Sequence, residues 1–299
     1  MDELPMIDPH HHLWDLERFA YPWLTSRPRP PSVAGDVGPI ARSYHLDDYL
    51  ADAAGHNLVK SVHVDAGFDP ANPVEETRWL QSIADRRGFP HGIVARAELH
   101  GPDVEAILAG HAAFANVRGI RHIVNWHRDP VKTFVAQPDL LTDPGWLAGF
   151  ALLRKYGLSF DLQLYPSQMA DAASVAHHHP DTLIILNHAG MPVDRDPDAI
   201  AMWRAGMKML AAEPNVRVKI SGLGMVDWHW TEESIRPFVL ETIDIFGIDR
   251  AMFASNFPVD KLYSSFDVLY RAFKNIVSDF QPAEKRKLFL DNAESAYRL

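Results

Sequence analysis

Three consecutive histidines near the start of the chain are the first residues that could do chemistry. Asp8-Pro9-His10-His11-His12 follows a short apolar run. Side chains two apart on an extended chain point the same way, so His10 and His12 aim into one pocket while His11 points away. Imidazole is the commonest metal ligand and titrates near neutral pH, which suits metal binding or proton transfer. A polar surface turn is the plainer alternative. His188 is placed similarly: it ends an apolar run and opens Ala189-Gly190-Met191-Pro192. Arg121, beside His122, could clamp a carboxylate bidentately or form a buried ion pair. Lys219 and Ser221 share one face of their run, and one of them could reach a pocket. A lysine that only pairs with a neighbouring acid fits equally well. Asn256 ends a further run, and Asp260 lies four residues on, in a loop.

These residues sit at the ends of short, β-rich runs separated by segments of helical period. The runs are 4–8, 59–65, 92–99, 117–123, 158–164, 182–188, 216–221 and 251–256. Between them the helices are punctuated. Asn72-Pro73 reads as an N-terminal cap and first position, with Gly88 closing that helix. Asp143-Pro144 and Pro197 open two more, and Thr231 or Ser234 opens another that ends at Gly247. Segments 266–280 and 282–297 finish the chain. Eight strands, each followed by helical sequence, predict an α/β fold, a (β/α)8 barrel in one domain over residues 1–299. An open doubly wound sheet would call for a Gly-rich turn after the first strand, where this chain has histidines. The Pro-rich stretch 22–39 then reads as a long first loop. In such a barrel, function gathers at the C-terminal strand ends, where the candidates above lie.

Composition narrows the field. The chain has 299 residues, no cysteine, and a net charge of −10 from 29 basic and 39 acidic residues. The missing cysteines remove disulfides, thiol nucleophiles, Cys-ligated zinc and iron–sulfur clusters. The negative charge, with no Lys/Arg run, argues against nucleic acid and anionic membranes as partners. With neither an apolar leader nor a membrane-length run, the expected location is cytoplasmic. The 16 histidines are not equivalent. His177, His178 and His179 end a helix, where they complement its dipole. His45, His56, His91, His100 and His111 have no evident partner. Trp14, Tyr21 and Trp23 in the first loop, with Trp126 and Trp228-His229-Trp230 after the fourth and seventh strands, could wall a pocket or simply pack loops. Exposed Trp loops would also suit a homodimer contact.

The ordered set resembles the amidohydrolase-related family of barrel hydrolases, in particular its lactonase-type branch. Asp8-x-His10-x-His12-Leu-Trp-Asp15 and Tyr21-Pro-Trp-Leu24 carry the likeness. It continues through Gly119-Ile-Arg-His122, His188-Ala-Gly-Met-Pro192, Lys219-Ile-Ser-Gly222 and Phe253-Ala-Ser-Asn-Phe-Pro258. The resemblance implies a hydrolase acting on a small lactone or related ester. The wider superfamily gathers the first-strand His pair, histidines of the fifth and sixth strands and an eighth-strand Asp around divalent metals. His10, His12 and His188 match, and would hold one zinc or manganese ion. The fifth strand has Gln163 and no histidine, as in branch members that hold one metal weakly or need none. Asn256 stands where the superfamily has Asp, and an amide cannot accept the proton of an attacking water.

On this reading His188 or Asp260 takes that proton. Arg121 anchors the substrate, assisted by Lys219 and Asn256. Trp14, Trp23, His122, Gln163, Ser221 and Trp228 would contact the substrate, a small molecule. Two other readings stand beside it: a metal-dependent decarboxylase of the same superfamily, and a binding protein that lost catalysis with Asn256.

Overall fold

The computed structural model describes residues 4–299. Eight strands follow in chain order: β1 Met6–His11, β2 Leu58–Val64, β3 Gly92–Arg96, β4 Val117–Ile123, β5 Ser159–Gln163, β6 Ile184–Leu186, β7 Val216–Ile220 and β8 Ala251–Phe253. All seven successive pairings are parallel, in the order β1 to β8. Parallel strands bury both faces, one on the barrel interior and one under the helices, which is why their sequences read as near-continuous apolar runs. The chain is thus a (β/α)8 barrel with a long first loop.

The ring closes above the strands. Beyond β8, Asn256 donates its N–H to the His10 carbonyl at 2.8 Å, and His12 donates to the Phe257 carbonyl at 2.7 Å. The histidine segment is therefore held by the seam between first and last strands. Here the structure refines the sequence reading. The first strand runs on through His11 rather than stopping at Asp8, while the sixth and eighth stop short at Leu186 and Phe253. Those two leave the ladder because the chain turns into left-handed backbone. φ is 57° at His188, 50° at Ala189, 46° at Met191 and 57° at Asn256. L-residues rarely adopt this conformation, and such residues cluster at functional sites.

The helices follow their capping signals. Pro73–Arg87 starts on proline and closes on Gly88 at φ 75°. Pro144–Lys155 is capped by the Asp143 carboxylate, which accepts from the Trp146 N–H at 2.7 Å. Thr231, rather than Ser234, caps Glu232–Phe246, so Pro237 lies inside that helix. The last segment is a helix interrupted by a π-turn at Lys287–Asp291, which buries Leu288 and Phe289. The first loop is partly ordered by Pro22–Thr25, Gly38–Ile40 and Leu46–Asp52. Among the described residues, no helix is long and apolar enough to cross a membrane.

One glycine couples the helix layer to the site. A Cβ on Gly149 would lie 1.9 Å from the carbonyl oxygen of Leu99. The Leu99 N–H in turn donates to His122 Nδ1 at 3.3 Å. Backbone cannot yield as a flexible side chain can, so Gly149→Ala must push the helix away from the segment that follows β3. We expect a loss of about 1–3 kcal/mol, the usual range for overpacking. It should appear as a lower urea midpoint at unchanged m-value.

Candidate active site

The site is assembled on a buried carboxylate. Asp8 accepts from the Ser255 N–H at 2.8 Å, the Ser255 hydroxyl at 2.6 Å, the Tyr49 hydroxyl at 2.8 Å and the His10 N–H at 3.3 Å. Burial raises its pKa despite these donors. Asp8 thereby fixes the direction in which β1 presents its histidines. His11 faces away, as strand alternation requires. Its Nε2 meets the Ser61 hydroxyl at 3.0 Å and its ring stacks on Tyr49. His10 and His12 lie together, ring centres 5.0 Å apart, and His188 joins them 4.6 Å from His10.

Their hydrogen bonds set their tautomers. His12 Nδ1 is 2.7 Å from the Val64 carbonyl, which can only accept, so Nδ1 carries the proton. Burial and then Arg121 lower the His12 pKa to about 4, so the ring is neutral and Nε2 holds a lone pair. The Asn256 amide lies 3.3 Å from that nitrogen. The facing atom is the amide oxygen Oδ1, and the Asn256 side chain also hydrogen-bonds Asp260. His10 Nδ1 is 3.5 Å from the Lys219 ammonium, which can only donate. The His10 proton therefore resides on Nε2, which is buried and has no partner. His188 Nδ1 is 2.9 Å from the Ser221 hydroxyl, leaving Nε2 as its other nitrogen. Burial drives His10 and His188 well below the ordinary imidazole range. Lys219 is the next cause for His10, and Arg121 for His188.

Two buried ion pairs supply those cations. Lys219 lies 2.5 Å from Asp161. Asp161 also accepts from the Tyr297 hydroxyl at 2.9 and 3.0 Å and from the Asn187 amide at 3.0 Å. Burial lowers the Lys219 pKa, against the pull of Asp161. Arg121 donates from Nε to Asp65 Oδ2 at 3.0 Å, from Nη1 to Gln163 at 3.1 Å, and from Nη2 to the Asp65 carbonyl. Burial works to raise the Asp65 pKa, but Arg121 and Arg96 outweigh it. Three of the five guanidinium N–H groups are thus used, and two remain.

His12, His188, Arg121, Gln163 and Asn256 line a cavity of about 430 Å³, roofed by Trp23, Phe68 and Phe134 among others. The other residues singled out in the sequence lie off this wall. Trp14 is buried behind, edge-on to Trp23. Ser221 and Lys219 act on His188 and His10 as described. Trp228 is about half exposed, stacks on Tyr263 and donates to the Val33 carbonyl at 3.2 Å. His122 faces a neighbouring recess. Asp260 is buried beside Asn256, and burial raises its pKa to about 7. The sequence reading missed Asp8, Asp65 and Tyr297 as supports. Asp65 had a legible signal, an acid at the end of its apolar run, whereas Tyr297 reaches Asp161 from the far end of the chain.

A metal fits these residues poorly. Among the described residues, no three His, Asp or Glu side chains form a group able to hold an ion. The nearest set is three neutral imidazoles without a carboxylate. The lone pair of His10 Nδ1 already faces Lys219, and two buried cations stand beside the set. Neutral ligands near fixed positive charge offset little of a dication's charge.

A barrel with titratable groups gathered at the C-terminal strand ends has the architecture of a metabolic enzyme. The chain belongs to the amidohydrolase family, whose model matches residues 7–299. It is 53% identical to the uncharacterized protein y4mH of Sinorhizobium fredii over the full length of both chains. It is 29% identical to an L-fucono-1,5-lactonase of Burkholderia multivorans, over 98% of this chain and 96% of that one. A crystal structure of a Burkholderia multivorans amidohydrolase with bound zinc superposes with a TM-score of 0.81 at 26% identity, covering 99% of both chains.

The seat of His188 can be tested directly. A Cβ on Gly222, at φ 62°, would lie 2.5 Å from His188 Nδ1. Gly222→Ala should displace the imidazole from Ser221 while leaving the barrel folded. Far-UV circular dichroism should be unchanged, and the His188 ring resonances should shift and broaden.

Proposed function

We propose that this protein hydrolyses a small sugar-acid lactone to the open-chain hydroxy acid, without needing a metal. The observation that carries the reading is the single cavity wall shared by His188, an imidazole held neutral, and Arg121, a cation with two N–H groups to spare. Lactone hydrolysis needs a base for water and a donor for the carbonyl oxygen. The likeness to an L-fucono-1,5-lactonase supports the sugar-acid class.

In this mechanism Arg121 donates to the lactone carbonyl and stabilises the charge that grows on its oxygen. Asp65 and Gln163 hold the guanidinium in place, so little reorganisation is needed. His188 Nε2 takes a proton from water as the water oxygen bonds to the carbonyl carbon. Nδ1 donates to Ser221 meanwhile. The ring C–O bond then breaks, and the proton on His188 passes to the departing alkoxide. Water is consumed and one hydroxy acid forms. His12 and Asn256 orient one another at the wall, and Lys219 keeps the His10 proton on Nε2. We assign the base to His188 rather than Asp260 because His188 lines the cavity.

His188→Gln should reduce kcat by at least 100-fold, within the usual contribution of a general base. A neutral base works above its own pKa, so kcat/KM should rise with pH through an inflection well below 6.5 and then level off. An inflection near 7 that disappears in Asp260→Asn would transfer the role to Asp260. Product mass distinguishes the chemistry: hydrolysis adds water, whereas a decarboxylase would release carbon dioxide.

Removal of metal offers a second test. Protein dialysed against a strong chelator and shown by elemental mass spectrometry to be metal-free should keep its full lactonase rate. A rate that vanishes and returns with zinc or manganese would overturn the metal-free mechanism.

A further inference from the structure

A second recess of about 400 Å³ adjoins the first and shares Arg96, Arg121, Ile123 and Phe134 with it. Together the two recesses exceed what one sugar ring occupies. Besides Asp65 and Arg121, the second is lined by polar groups the mechanism does not use. His122 is the most informative. Its Nδ1 accepts from the Trp146 indole N–H at 3.0 Å and from the Leu99 N–H at 3.3 Å. A nitrogen that accepts twice carries no proton, so Nε2–H is the ring's remaining polar group. His100 stacks on the same ring, 5.5 Å between centres and 13° from parallel, which fixes its plane. Arg96 donates to Glu98 at 3.0 Å, and both are partly exposed. An exposed pair of this kind contributes little and rearranges readily.

The charges in this recess balance. Arg121 is matched by Asp65, and Arg96 by Glu98. An anion would meet no cation here without a carboxylate already beside it. A neutral group with many hydroxyls would not, because it can accept from His122 and Arg96 while donating to Glu98. Phe134, Val135 and Leu140 supply apolar surface for the carbon faces of such a group.

We infer that the second recess is a subsite for a neutral polyhydroxylated extension of the substrate, such as a second sugar unit attached to the lactone ring. The inference rests on the lactonase reading above and narrows its substrate class. His122 Nε2–H, Arg96 and Glu98 are the specificity-determining contacts.

The test compares glucono-1,5-lactone with the lactone of a disaccharide acid, maltobiono-1,5-lactone, in the wild-type enzyme and in Arg96→Met and Glu98→Ala. The wild type should favour the longer lactone in kcat/KM, and each variant should lower the ratio of long to short by about tenfold. That is the effect of losing one hydrogen bond with a charged partner. Saturation-transfer NMR with maltobionate, the open-chain acid, gives a readout independent of turnover. Signal from the terminal sugar protons should be strong in the wild type and weak in both variants. Turnover of the short lactone with an unchanged ratio in the variants would overturn the subsite alone. Absence of turnover on both lactones would overturn the lactonase reading. In that event, a terminal-sugar signal that is strong in the wild type and weak in the variants would still uphold the subsite. A signal absent from the wild type would overturn it.

Discussion

The Lys219 ammonium is fully buried, beneath the three clustered histidines. A charge taken out of water costs several kcal/mol even after relaxation, and only an excellent partner offsets that. Lys219 has one in Asp161, itself held by Tyr297 and Asn187. Arg121 repeats the arrangement with Asp65 and Gln163. Such pairs are weak evidence for stability, since an apolar replacement is often as stable. Their effect here lies in what they do to their neighbours. Burial disfavours the charged form of the imidazoles first, and the fixed positive charges of Lys219 and Arg121 add to it at His10 and His188, and that of Arg121 at His12, so the rings stay neutral. A neutral imidazole has one donor and one acceptor, and its partners decide which nitrogen is which. The electrostatics of the mouth thus become a set of defined donors and acceptors.

The barrel makes this arrangement possible. Alternation along β5 places Asp161 and Gln163 on one face, and along β7 and the residue after it Lys219 and Ser221 on one face. On each strand the deeper residue belongs to the Asp161–Lys219 pair. The residue two positions on bonds to a group of the cavity wall, Gln163 to Arg121 and Ser221 to His188. The seam between β1 and β8 adds the first histidines and Asn256, tied together by Asp8 and Ser255. Six strands, or the turns directly after them, therefore meet at one spot, which explains why the order of the residues in the chain says little about their distances.

Periodicity and punctuation were enough to read the fold. Apolar runs marked each strand, and Pro73, Gly88, Asp143 and Thr231 marked the helix ends where the structure has them. The candidate site was legible where a residue ended a run, as with His10, His12, His188 and Asn256, while Arg121 was a cation inside its run. What remained hidden were the partners. Whether Arg121 clamped a substrate or paired internally depended on Asp65, an acid 56 positions away. Its three internal bonds answer the question in part, leaving two N–H groups for a ligand. Lys219 and Asp161 are 58 positions apart. Trp228 carried the right residue type in the right loop, yet it packs on Tyr263 outside the wall. Propensity and pattern are local, whereas ion pairs and tautomers depend on the tertiary arrangement.

Asn256 shows how far one residue type can shift the balance. A carboxylate there would sit against His12 Nε2 and draw a proton onto it, and would add an anion to a site with two cations. It would also stand close to Asp260, whose pKa burial already raises. Two carboxylates in so dry a place cannot both ionise easily. The amide avoids both effects. It is neutral, it sets an uncharged oxygen beside His12, and it leaves the charges at Asp65, Arg121, Asp161 and Lys219 paired one to one. The left-handed backbone at Asn256 suits the same choice, since Asn tolerates that conformation better than most residues. Loss of the acidic side chain is therefore compatible with catalysis when the proton is taken by a neutral imidazole and the oxyanion is met by an arginine already fixed in place.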